Sequence, residues 1–390
     1  MRRRFLFLIF GAAALGLLWI VFDLLSPYRG YSESMLLVVG PGWRATQVAE
    51  FLVARGVLRH RLPFLVRYYV GRPRHTLRAG EYLFDRPLRP IDVYRRLIQG
   101  DIFLHTVVIP EGSDRFDIAR ILNLRLGIDP EQFLRVTQQA MAISDLDPSA
   151  PSLEGYLFPD TYRFPRGASA GTVAIAMMGR FRHIIATRFE NQGLSPNSDF
   201  PLRLEKGGRS GGDRGWHEVI TLASLVEKET PEASERPIIA GVFERRLERG
   251  MPLQCDPTVV YAARLDSRPV GPITRSDLEF DSPYNTYRHP GLPPGPIANP
   301  GEASIRAVLQ PAEGDALYFV ANNHGGHVFA RTLAEHQRNV SRYRREAAAL
   351  RRDEAVPAGK SSKPPAHAAS KSAAKAPKRA SKTQQETTHH

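Results

Sequence analysis

The 390-residue sequence predicts an α+β protein carried on a single N-terminal transmembrane helix, with a disordered C-terminal tail. Three observations predict this. An uncharged apolar run, Phe5–Phe22, follows Arg2–Arg4 directly. Behind it, short β-type runs are mixed with amphipathic helical runs without any repeat, the pattern of an α+β fold. From about residue 351 the composition shifts to Ala, Ser, Lys and Pro, and Leu, Ile, Phe, Tyr and Trp are missing after Val356. Such a segment cannot bury enough apolar surface to fold.

Residues 1–25 read as a cytoplasmic stub and anchor. The run is close to the roughly 20 apolar residues that span a bilayer. A cleaved signal peptide has an apolar region of only about 7–15 residues and a small-x-small site; Asp23–Pro27 offers no such site. The three arginines stay in the cytoplasm, which places the rest of the chain on the outer face. No second apolar run of that length follows, so the expectation is a single-pass protein.

Residues 33–104 form the next unit. Leu36–Val39 reads as a strand closed by Gly40-Pro41-Gly42. Thr46–Arg55 is an amphipathic helix with Val48, Phe51 and Leu52 inward, ended by Gly56. A helix at about Leu62–Val70, a strand Glu81–Phe84 and a helix Pro90–Ile98 stopped by Gly100 complete it, after a short polar linker at Ser26–Ser34. Strand, helix, helix, strand resembles a LysM-like module, a family that binds glycan chains; a spacer that touches no sugar is the alternative.

Residues 105–350 form the main domain. Thr106–Ile109 reads as a strand, Asp114–Leu122 and Gly171–Arg188 as helices, and Leu153–Tyr162 (LEGYLFPDTY) as a turn-rich aromatic segment. Glu205–Gly215, with five glycines, reads as a mobile loop; no Gly-Lys-Ser/Thr follows, so it is not a phosphate-binding loop. A helix runs from Trp216 to Pro231, which cannot continue it. Arg236–Arg249 is helical, Pro283–Gly301 a rigid irregular loop, Leu317–Val320 a strand and Ala334–Leu350 a charged helix. Residues 351–390 are the basic tail; from Val356 on it has seven basic residues against the single Glu386, in a chain of net charge +13. Its place outside the cytoplasm excludes nucleic acid and favours lipid headgroups or wall polymers, or a solvated tail without a partner. The single Cys255 allows no intramolecular disulfide and reads as a packed, inert thiol.

The chemistry centres on Leu222–Thr230 (LASLVEKET), where Glu227 and Glu229 end an apolar helical run. Positions two apart on a helix differ by about 200°. Glu229 follows Leu222, Leu225 and Val226 on the greasier face, and Glu227 follows Ile220, Ala223 and Ser224. An apolar setting disfavours ionisation and raises a carboxyl pKa toward that of a general acid. Two solvated glutamates on a surface helix are the alternative from these nine residues alone. Two metal signatures fail. His217-Glu218-Val219-Ile220-Thr221 lacks the second His of a zincin helix, and His324 and His327 have no third ligand and read as turn residues. The expectation is no metal and no cofactor.

With LEGYLFPDTY, the segments LQCDPTVVY (Leu253–Tyr261), PYNTY (Pro283–Tyr287), GLPPGPIANPG (Gly291–Gly301), LYFV (Leu317–Val320) and HGGHVF (His324–Phe329) resemble the YceG-like family of endolytic murein transglycosylases. The resemblance covers about Ser32–Arg345. It implies a cell-inner-membrane enzyme, active on the periplasmic face, that cuts the MurNAc-GlcNAc bond within glycan strands to give 1,6-anhydroMurNAc ends. Its catalytic residue maps onto Glu229, as acid and then base. Glu227 orients the site or caps backbone groups. Glu227, Gln254, Asp256, Asn285 and Tyr287 are candidate substrate contacts, while Glu154, Tyr156 and Asp160 are scaffold near the cleft. The implied partners are peptidoglycan strands, the membrane and peptidoglycan synthases. A water-using muramidase and a non-catalytic wall scaffold are the alternatives. A pyridoxal-phosphate lyase, a label the family has carried, lacks a phosphate cradle here.

Overall fold

The computed structural model describes residues 2–70, 76–194, 215–269 and 271–355. The expected glycine-rich loop, except Gly215, and the tail from Val356 lie outside the described residues. The chain divides into two units, ending and starting at Tyr343 and Arg344. Within the described residues the second consists of helix Arg344–Ala355.

The first unit opens with α1 (Arg2–Leu25). Its stretch Arg3–Leu25 has mean hydropathy 2.6, is long and apolar enough to cross a membrane, and none of its most apolar window is buried. Its foot is pinned: Asp23 pairs with His60 at 3.0 Å, and Trp19 packs its ring 5.1 Å from that imidazole. The expected linker is not loose. Tyr28 bridges to Leu88, and the Gly30 amide donates to the Gly56 carbonyl.

The strand–helix–helix–strand order is present: β1 (Met35–Val39), α2 (Ala45–Ala54), α3 (Arg61–Val70), β2 (Gly80–Phe84), then α4 (Pro90–Gln99). β1 pairs antiparallel with β2, Leu37 opposite Tyr82. Gly100 takes the left-handed conformation that ends α4. Leu37, Val48, Leu52, Phe64, Tyr82 and Leu97 make a small core of their own.

A second, larger core begins at Val107. β3 (His105–Val108) is followed by α5 (Arg115–Leu126), α6 (Pro130–Thr137), β4 (Thr161–Phe164), α7 (Ala170–Ile184), α8 (Trp216–Glu229), α9 (Arg236–Glu248), α10 (Asp256–Leu265), the single turn α11 (Arg275–Leu278), α12 (Glu302–Leu309), β5 (Tyr318–Ala321), β6 (His327–Ala330) and α13 (Leu333–Ala355). β3 pairs with β4 and β5 with β6, so each described sheet is one antiparallel pair and helices carry the core. α8 runs through its centre: Val219, Ile220, Leu222, Leu225 and Val226 are all buried.

The Pro-rich loop lies across α8. Ser224 Oγ accepts from the Ile297 amide at 3.0 Å. Gly155 has φ +88, and a Cβ there would meet Pro296 at 2.5 Å and Ile220 at 2.8 Å, so only glycine fits under the loop. Glu154, 1% exposed, ties four segments together, accepting from the Arg115 amide, Tyr261 Oη and Asn299 Nδ2 at 2.8–3.0 Å. Tyr156 donates to Asp147, which also holds His217 Nδ1 at 2.7 Å, and Asp160 binds Arg180 at 2.6 Å. This segment braces the fold.

Candidate active site

Thr230, fixed between α8 and Pro231, is extended (φ −142°, ψ 132°), as the residue before a proline must be. The helix therefore stops with Glu229 as its last residue. The negative end of the helix dipole disfavours a carboxylate there.

Glu229 opens onto a pocket of about 360 Å³ lined also by Arg246, Leu253, Gln254, Asp256, Tyr287, Tyr318, Phe319, Val320, Ala321, His327, Leu333 and His336. Away from this opening, protein surrounds the carboxyl, and burial pushes its pKa up to about 7. The Cys255 thiol beside it, together with His327 and Arg246, opposes the rise; Asp256 adds to it. Glu154 is also pushed to about 7 by burial, but it is sealed in the core. A raised pKa alone does not choose between the two carboxyls; access to a pocket does.

Local structure aims the other side chains. Gln254 is a non-glycine residue at φ +52, a conformation that costs on the order of 1–3 kcal/mol. Its amide donates to the Thr286 carbonyl at 3.2 Å, and its Oε1 accepts from Arg246 Nη2 at 2.8 Å. Cys255 caps α10 and Asp256 is its first residue, with Pro257 next, where proline and an acidic side chain both suit a helix start. Asp256 accepts from Tyr287 Oη at 2.5 Å. Cys255 is buried, and burial next to Glu229 holds its thiol protonated.

The structure brings together Glu229, Gln254, Asp256 and Tyr287 of the residues expected from the sequence. Two others fall outside the pocket lining. Asn285 is fully buried: its Nδ2 donates to the Leu278 and Phe280 carbonyls, and its Oδ1 accepts from the Tyr287 amide at 3.0 Å. With its amide consumed by the loop, it braces the Tyr287 backbone instead of facing a ligand. Glu227 points the other way from Glu229. Its side chain is 5% exposed, pairs with Arg236 at 3.0 Å and accepts from the Gly301 amide at the start of α12. It caps a backbone amide, one of the roles expected for it, and as a candidate substrate contact it lies outside the pocket lining.

Sequence reasoning missed Arg246, Tyr318, His327 and His336. His327 is not a turn residue but the first residue of β6. Glu235 grips it twice, accepting from its amide at 2.6 Å and binding Nδ1 at 2.7 Å, and also accepts from Thr230 Oγ1 at 3.1 Å. The end of the α8 helix and the β5–β6 hairpin are thereby one polar unit. Spacing could not reveal it, because Glu235 and His327 lie 92 residues apart. Among the described residues no cluster of His, Cys, Asp and Glu could hold a metal ion.

The YceG-like family matches residues 37–342. An endolytic murein transglycosylase of Bacillus subtilis (strain 168) is 31% identical over 339 residues, covering 82% of this chain and 88% of the relative. One of Streptococcus pneumoniae (strain R6) is 29% identical over 357 residues; the match takes in 83% of this chain but 61% of that longer protein. The crystal structure of a YceG-like protein from Listeria monocytogenes superposes with a TM-score of 0.51 at 29% identity, over 79% of this chain and 99% of that one. Site, fold and sequence agree: the chain belongs to the YceG-like family.

Proposed function

We propose that the chain is an endolytic murein transglycosylase anchored in the cell inner membrane. The observation that carries this reading is the placement of Glu229: one carboxyl of raised pKa at the end of a buried helix, open to a polar pocket. Protonated Glu229 gives its proton to the glycosidic oxygen between MurNAc and GlcNAc, and the C1–O bond breaks. The muramic acid's own 6-hydroxyl forms the new bond to C1, and its proton returns to the Glu229 carboxylate. No water is consumed and the enzyme is restored. One residue serves as acid and then base. Asp256, oriented by the Tyr287 hydroxyl, accepts from the N-acetyl N–H, and Gln254 contacts sugar hydroxyls.

The remaining organisation supports action on strands near the membrane. The apolar α1 serves as the anchor, with Arg2–Arg4 inside and the domains on the periplasmic face. Residues 33–104 act as a LysM-like module, residues 105–350 as the catalytic domain, and residues 351–390 as a disordered basic tail. Peptidoglycan synthases are the expected protein partners, since such an enzyme ends the strands they extend.

Mass spectrometry of the sugar ends released from purified peptidoglycan tests this reading. Anhydro-MurNAc ends are expected. Reducing ends alone would assign a water-using muramidase, and no cleavage a scaffold.

A further inference from the structure

We propose that Arg246 reads the lactyl carboxyl group that distinguishes muramic acid from glucosamine, making it the residue that sets substrate specificity. The proposal rests on the reading of Glu229 given above.

Arg246 lies on α9, is 7% exposed and lines the same pocket as Glu229. The groups it touches are neutral, Gln254 Oε1 at 2.8 Å and the Tyr318 ring, over which the guanidinium sits 5.6 Å from the centroid, while the Glu229 carboxyl acts on it from across the pocket without a direct ion pair. Its buried Nε has no hydrogen-bond partner, and it makes no ion pair among the described residues. A buried charge is normally paired, because its desolvation is otherwise uncompensated. Other arginines near this cleft follow that rule: Arg236 pairs with Glu227, and Arg264 with Asp114 and Asp117. Arg246 departs from it at a pocket wall.

The cost of holding it there is visible elsewhere. Gln254 adopts its left-handed backbone while presenting Oε1 to Arg246. Strain maintained at a pocket points to a function for the group it positions. An oriented guanidinium with donors to spare suits a carboxyl-derived oxygen. With Glu229 at the glycosidic oxygen, the muramic acid ring occupies this pocket, and its C3 lactyl group is the one carboxyl-bearing substituent that an N-acetylglucosamine ring lacks. In naked strands that group is a free carboxylate; in peptide-bearing strands it is an amide carbonyl. Both accept from a guanidinium.

The test is equilibrium binding in a Glu229→Gln background, which does not cut its ligand. The probes are a naked GlcNAc-MurNAc tetrasaccharide and chitotetraose, which lacks the lactyl group. With Arg246 present, the murein saccharide should bind about tenfold tighter; with Arg246→Gln added, the two should bind within about twofold of each other. Arg246→Lys keeps the charge without the fork and should retain only part of the preference, which serves if the Gln variant does not fold. Equal binding of both saccharides while Arg246 is present would overturn the proposal, as would an Arg246→Gln loss shared equally between them. A peptide-bearing tetrasaccharide separates the two forms of the group: affinity equal to the naked one means that the carbonyl suffices, and weaker affinity means that the free charge is read. Wild-type protein that yields anhydro ends without this discrimination would overturn this inference alone; wild type that yields none would overturn the reading beneath it.

Discussion

Glu227 and Glu229 end the same helix two residues apart and face opposite sides of it. Glu227 is locked to Arg236 and to the Gly301 amide. Glu229 opens onto the pocket that holds Arg246, Asp256 and His327. One carboxylate holds the fold and the other faces the pocket.

Glu227→Ala should therefore act on stability. Removing the buried partner leaves Arg236 with only the half-exposed Glu111 at 3.7 Å, so the loss should approach, without reaching, the roughly 3–5 kcal/mol of a fully broken buried pair. Urea unfolding should show the loss, while KM per folded molecule stays near wild type. Unchanged stability with a raised KM would return Glu227 to the substrate.

The pKa of Glu229 has a signed consequence. Its folded value, about 7, lies above the ordinary 4.5, so the folded state prefers the protonated form. That preference is fully satisfied below about pH 4.5, and is lost as pH rises from there through 7. Glu229→Gln should melt higher than wild type at pH 8 and at nearly the same temperature at pH 4.5. Wild-type activity should fall as pH rises through about 7. A Gln variant less stable than wild type at pH 8 would contradict the burial argument.

Cys255→Ser should keep most activity. Burial holds the thiol neutral, and serine fills nearly the same space with a better donor to Glu229. A loss above about a hundredfold, or about 2.7 kcal/mol, would make the thiol part of the chemistry.

Glu235→Gln should weaken the His327 grip. A carboxylate accepts from both the His327 amide and its ring, and an amide side chain cannot repeat both contacts. Activity should drop about tenfold or more with only a modest fall in melting temperature. Unchanged activity would remove the Glu235–His327 pair from the site.

Much of this was legible in the sequence, for identifiable reasons. The α8 helix and the opposite placement of Glu227 and Glu229 follow from helical spacing and the stop at Pro231, which are local. The β1–β2 module follows from its glycine stops. Helices α6, α10 and α12 were hidden because each is short and starts in a Pro- or Gly-rich stretch that reads as loop. β6 was hidden because His324–Gly326 reads as a turn. The polar unit joining Thr230, Glu235 and His327, and the placement of Arg246 at the pocket wall, depend on contacts between distant segments. Arg246 is one of four arginines from Arg236 to Arg249, and only its place in the pocket lining, without an ion pair, separates it from the equally buried Arg236.

The central claim is that Glu229 alone performs the proton transfers. The most direct test is the rate of anhydro-ended product from glycan strands, normalised to folded protein, for Glu229→Gln, Glu227→Gln and wild type. Glu229→Gln should lose at least about 10²–10⁴-fold, the ordinary range for general acid–base catalysis, while folded Glu227→Gln keeps most of its rate. Glu229→Gln retaining most activity while Glu227→Gln loses it would contradict the account.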